Sequence, residues 1–149
     1  MVQNSYVQQY QHNQIATASK EQILLLLYDG AIKFTRQARK GIQNGDFRLK
    51  GEGIVRAVNI VSELDATLDF ETGGDIAVNL DALYHFIIRQ LTQANLKNDE
   101  QALSQAETLL IDLRHTWEEA IAQIKKQQAP AAEELEEKGK NHGRLALNG

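Results

Sequence analysis

The chain has 149 residues, of which 42% are hydrophobic and 24% charged, with a formal net charge of −4. That length suits one domain with a sizeable core, and the acidic balance argues against a protein whose main task is gripping nucleic acid. There is no cysteine, which excludes disulfides, thiolate catalysis and cysteine metal sites, and a reducing, cytosolic setting is expected.

Residues 1–18 are polar, with Tyr6 and Tyr10 interleaved. They are expected to form an extended or weakly helical arm, and they lack the apolar segment of a secretory signal. Thr17 and Ser19 are candidate N-caps for a first helix running to about Gly41. Its expected inward stripe is Leu24, Leu27, Ala31, Phe34 and Ala38, with Tyr28 and Thr35 at one edge. Residues 23–27 are five large apolar residues in a row. At about 100° per residue they wrap the whole helix, so Leu25 and Leu26 are expected to point away from the core.

Asn44, Gly45 and Asp46 form a turn, with Asp46 as a cap. A second helix is expected over 46–69, with Ile54, Ala57, Val61, Leu64 and Leu68 inward. Val55 and Val58 fall on one flank and Ile60 on the other. Gly51 and Gly53 weaken its first turns by about 1 kcal/mol each relative to Ala. Residues 72–75, Thr-Gly-Gly-Asp, break the chain again. A third helix over 75–96 would turn Ile76, Leu80, Leu83, Ile87, Leu91 and Ala94 inward, with Tyr84 and Ile88 at its edge and Val78 and Phe86 opposite. A fourth, over 99–127, would bury Leu103, Ala106, Leu110, Leu113, Trp117, Ala120, Ile121 and Ile124, leaving Ile111 outside. Beyond Pro130 the composition turns charged, and residues 128–149 are expected to be a disordered tail. Residues 19–127 then form an all-α, antiparallel up-down-up-down four-helix bundle, because short turns make neighbouring helices antiparallel. No stretch approaches the roughly 18 apolar residues of a membrane span, so no stable membrane insertion is expected.

Few residues suggest chemistry. A di-metal bundle enzyme needs inward Glu and Glu-x-x-His sets. Asp112 and His115 have a related spacing and Asp81 and His85 lie four apart, but both histidines fall away from the inward stripes. No metal or cofactor site and no catalytic residue is expected, and the chain is not expected to be an enzyme. Bases cluster at the first turn and acids at the second, which reads as solvated surface with helix-dipole complementarity, or as a docking pole for a charged partner. The outward apolar set is Leu25, Leu26, Ile32, Val55, Val58, Val78, Phe86 and Ile111. It reads either as a core with a greasy rim or as grooves for a partner helix.

The chain carries, in order, Tyr10-Gln11, Thr17-Ala18-Ser19, Leu27-Tyr28-Asp29-Gly30-Ala31, Ala57-Val58-Asn59-Ile60, Gly73-Gly74-Asp75-Ile76-Ala77-Val78-Asn79-Leu80, Leu83-Tyr84, Leu91-Thr92-Gln93-Ala94-Asn95-Leu96, Asn98-Asp99 and Trp117-Glu118-Glu119-Ala120. With these motifs it resembles, over about residues 5–122, the FliS family of flagellar secretion chaperones. Lys20 stands where the family often has proline.

The resemblance implies a cytoplasmic four-helix bundle that binds the C-terminal segment of flagellin, prevents early polymerisation and escorts it to the flagellar export gate. It implies that Tyr10 and Gln11 form a displaceable cover; Leu25, Leu26, Ile32, Val55, Val58, Val78 and Phe86, from the outward apolar set, are then expected to form the partner-binding surface. Alternatives are a same-fold adaptor for another flagellar client or regulator, and, from another class, a di-metal bundle enzyme.

Overall fold

The computed structural model describes residues 19–147, with side chains described to residue 128. Four helices follow in order: α1 Lys20–Asn44, α2 Phe47–Ala66, α3 Phe70–Lys97 and α4 Glu100–Leu147. The fold is all-α, and the helices form the expected antiparallel four-helix bundle. The expected arm, with Tyr6 and Tyr10, lies outside the described residues. Contacts divide the chain after Arg114, so the bundle described here comprises α1, α2, α3 and α4 as far as that residue.

Each boundary has a local cause. Ser19 accepts from the Gln22 amide and donates its own amide to the Gln22 side chain, a reciprocal capping box. Gly45 ends α1 in the left-handed region at φ 69°, and the Asp46 amide donates back to the Gly41 carbonyl at 2.8 Å. Asp46, Asp69 and Asp99 cap the next three helices by accepting first-turn amides. Asn98 closes α3 at φ 52°.

α3 begins at Phe70, earlier than the periodicity suggests, because Asp69 caps a turn there. Its backbone then departs from helix at Gly74, with φ 51° and ψ −126°, where the sequence places its break. A β-carbon is poorly tolerated at that pair of angles. α4 continues past the expected end near 127 and past Pro130 to Leu147.

The core is built on a stripe of α1 rotated from the expected one. Tyr28, Ala31, Ile32, Thr35, Ala38 and Gly41 are buried, whereas Leu24, Leu27 and Phe34 are half-buried. Close approach of α2 explains the preference for small residues. A β-carbon on Gly53 would sit 2.6 Å from the Phe34 carbonyl oxygen, and one on Gly41 only 2.4 Å from the Lys50 backbone nitrogen. α1 and α2 meet almost backbone to backbone, and larger side chains are displaced to the flanks. Thr35 enters the core because its hydroxyl donates to the Ala31 carbonyl at 2.8 Å.

α2 buries Ile54, Ala57, Val61 and Leu64 as expected, while Leu68 is half-buried. α3 buries Ala77, Leu80, Tyr84, Ile87, Leu91 and Ala94. Ile76, expected inward, is 69% exposed, since the Gly74 kink shifts the start of the buried stripe to Ala77. Within the first unit α4 buries Ala102, Leu103, Ala106 and Leu110. In the second, Ile121 is buried, Trp117 and Ala120 are half-buried, and Ile124, expected inward, is exposed.

Candidate partner-binding surface

One side of the bundle is closed by a polar ladder. Along α1, Asp29, Arg36 and Gln43 recur every seven residues, and along α4 Glu100, Glu107 and Arg114 do the same in reverse. Asp29 meets Arg114 at 2.5 Å, Arg36 meets Glu107 at 2.6 Å, and Gln43 meets Glu100 at 2.5 Å. Arg39 adds a second guanidinium to Glu107, whose side chain is only 10% exposed. Seven residues are close to two helical turns, so the ladder stays on one face of each helix, and its reversed order shows the two helices to be antiparallel.

The basic cluster near the first turn is largely spent inside the molecule. Arg36 and Arg39 serve the ladder, Arg48 pairs with Glu52, and Lys33 and Arg56 lie over the Phe34 ring at 5.8 and 5.3 Å. Lys50 is buried. Its ammonium donates to the Asn95 carbonyl at 3.1 Å and to the Asn98 side chain at 2.6 Å, so α2 holds the C-terminal end of α3. These partners favour internal structure over a docking pole for that cluster.

The opposite edge of α4 is open. A shallow groove of about 410 Å³ runs between α3 and α4, floored by Phe86 and Leu109 and rimmed by Gln101, Ser104, Gln105 and Thr108. An apolar floor with a rim of neutral polar groups suits an amphipathic segment. Arg89 lies 5.9 Å from the Phe86 ring.

The residues singled out from the sequence divide. Val55 and Val78 are exposed, and Val58 and Phe86 are half-buried. Leu25 and Leu26 are half-buried, as are their neighbours Leu24 and Leu27, so the expected split of two inward and two outward does not occur. The rotation of the α1 stripe toward Tyr28 explains this, because it leaves the whole run near the edge of the core. The same rotation corrects Ile32, which is 7% exposed and belongs to the core rather than to an outward set. Tyr10 and Gln11 lie outside the described residues.

Leu109 escaped sequence reasoning. The available signal was the run Leu109-Leu110-Ile111, in which a helix can bury only one member centrally. Further exposed apolar side chains are Phe47, Phe70, Ile76 and Leu96.

Asp112 and His115 are both exposed, and His115 pairs with Glu119 at 3.2 Å. The buried carboxylate in the first unit's interior, Glu107, is already held by two arginines. Among the described residues, no helix is long and apolar enough to cross a membrane.

A helical bundle closed on one side by ion pairs and grooved on another places the chain among antiparallel four-helix bundles with an open apolar surface. The family described as "Flagellar protein FliS" matches residues 2–124. The chain is 37% identical over 125 residues to the "Flagellar secretion chaperone FliS" of Bacillus subtilis (strain 168), covering 84% of this chain and 92% of that one. It is 40% identical over 116 residues to the protein of the same name from Salmonella typhimurium, covering 77% and 86% of the two chains. The Vibrio cholerae counterpart is 38% identical over 107 residues, covering 72% and 79%. The chain belongs to the FliS family of flagellar secretion chaperones, whose members are named for a chaperone role rather than for an enzyme activity.

Proposed function

We propose that this chaperone binds the C-terminal segment of flagellin in the cytosol, keeps it from polymerising and delivers it to the flagellar export gate. The observation that carries this reading is the groove floored by Phe86 and Leu109, on the side of α4 away from the ion-pair ladder. It is supported by the half-buried leucines of α1 and by Val55, Val58 and Val78, which offer further apolar surface. An amphipathic client that leaves water for such surfaces folds as it binds.

The chemistry needs no nucleotide. A client held by burial of its apolar face is removed from the polymerising pool by mass action. The cost of ordering a disordered segment keeps affinity below what area alone would suggest, and this leaves the complex able to release its cargo. Residues 1–18, with Tyr10 and Gln11, act as a cover that the client displaces, and the export gate recognises the loaded chaperone.

The test is calorimetric titration of the full chain with a flagellin C-terminal peptide, followed by circular dichroism. A saturable one-to-one complex with a gain of helix is expected. If no heat is released and no complex elutes from a sizing column, flagellin is not the client, and a different flagellar client takes its place.

A further inference from the structure

Asp65 stands near the end of α2, and Asp81 and His85 stand one turn apart on α3. The fold brings them together. His85 Nε2 lies 3.1 Å from Asp81 Oδ1 and 3.3 Å from Asp65 Oδ2. One donor atom from each residue falls within 4.8 Å of the other two.

We propose that Asp65, Asp81 and His85 bind a divalent transition-metal ion of the Zn²⁺ type, which ties the end of α2 to α3. The argument begins with an excess of acceptors. Two carboxylates face one imidazole nitrogen, and Asp65 Oδ1 is buried with no hydrogen-bond partner. What such a cluster lacks is positive charge.

The spacing fits a metal ion. Bonds of about 2.0–2.2 Å to nitrogen and oxygen in a tetrahedral shell place neighbouring ligand atoms roughly 3.3 Å apart. The two distances measured to His85 Nε2 are close to that edge length. Two carboxylates and one imidazole also suit a borderline cation better than a soft one. The side chains are 21%, 37% and 54% exposed for Asp65, Asp81 and His85, so an ion can enter and water can complete its shell.

The consequence is mechanical. Between Asp65 and Asp81 lie the α2–α3 turn and the Gly74 kink, flanked by the exposed Phe70, Ile76 and Val78. A metal cross-link would close this loop and limit bending at the kink. It would be a structural clamp on the surface rather than a catalytic centre.

The experiment uses the full chain, stripped with a chelator and returned to chelator-free buffer. ZnCl₂ is titrated by calorimetry, and the thermal midpoint is followed with increasing Zn²⁺. One saturable site per chain and a rising midpoint are expected. Asp65→Asn and His85→Gln, checked for an unchanged helical spectrum, should each weaken binding about tenfold or more, whereas His115→Gln should not. Asp65→Asn keeps its shape and removes a charge that burial disfavours, so the fold should survive it. Two results would overturn the proposal. Absence of saturable binding would leave the cluster as a hydrogen-bonded ion pair. Undiminished binding in the Asp65 and His85 variants would place the ion on other histidines.

Discussion

The hydroxyls of Tyr28 and Tyr84 lie 2.5 Å apart in the bundle interior, joining α1 to α3. Their side chains are 0% and 1% exposed. Two large rings that share a hydrogen bond at the centre fix the rotation of both helices at once. Single substitutions Tyr28→Phe and Tyr84→Phe should each cost about 1–2 kcal/mol in denaturant unfolding. The double variant should cost less than the two singles together, since both break the same bond. Strict additivity would show that the pair is not coupled.

Gly51 and Gly53 offer a contrast of sign two residues apart. A β-carbon at Gly51 meets open space, so Gly51→Ala should stabilise α2 by about 1 kcal/mol through propensity alone. At Gly53 the same atom would press on the α1 backbone at Phe34 and Ala38. Gly53→Ala should lower stability by about 1–3 kcal/mol despite the better propensity. Thermal midpoints moving in the same direction would refute the close contact of α1 and α2.

Lys50 shows how a charge can belong to the core. Lys50→Met keeps the stem and removes the ammonium that caps α3. A loss of about 1.5–3 kcal/mol is expected, read as a lower urea midpoint at constant slope. Arg48→Met, in an exposed pair with Glu52, should change the midpoint little.

Acid should loosen the starts of α3 and α4. Thr72, through its hydroxyl and then its amide, holds the Asp69 carboxyl below the usual range, and the Ala102 amide does the same for Asp99. Carboxyls depressed in the folded state contribute stability above their unfolded value of 3.8, and that contribution is lost as the pH falls through the lowered folded value. Stability should therefore decline below about pH 4, and Asp69→Asn with Asp99→Asn should flatten that limb. An unchanged acid limb would mean the caps are not ionised partners.

For the client, Phe86→Glu and Leu109→Glu should abolish binding of the flagellin peptide while shifting the thermal midpoint little, because both line an open groove. Ile32→Glu should instead unfold the chain, since it buries a charge in the core. Normal peptide binding by both groove variants would move the site elsewhere on the bundle.

The turns and caps were legible in the sequence because their causes are local. Ser19, Gly45 and Asp46 act on amides a few positions away and stand where the sequence puts them, whereas the α2–α3 turn falls at residues 67–69 and the expected break at 72–75 is a kink inside α3. The rotation of α1 was not legible. Hydropathy favours Leu24, Leu27 and Phe34, but the glycine-mediated approach of α2 admits Ala31, Thr35 and Ala38 to the centre and leaves the larger residues at the edge. Within the groove, Phe86 stood out as an apolar residue off its stripe, whereas Leu109 was hidden among apolar neighbours.

By itself the sequence determined four helices, their order and antiparallel sense, because capping, periodicity and short turns work over a few residues, while its ordered motifs carried the resemblance to the FliS family. Only the tertiary structure decided which face of α1 enters the core, that Lys50 serves α3, and that Asp65 meets His85 across two helices. Those outcomes depend on how closely two backbones can approach and on which polar groups then find partners, and neither is written along a single helix.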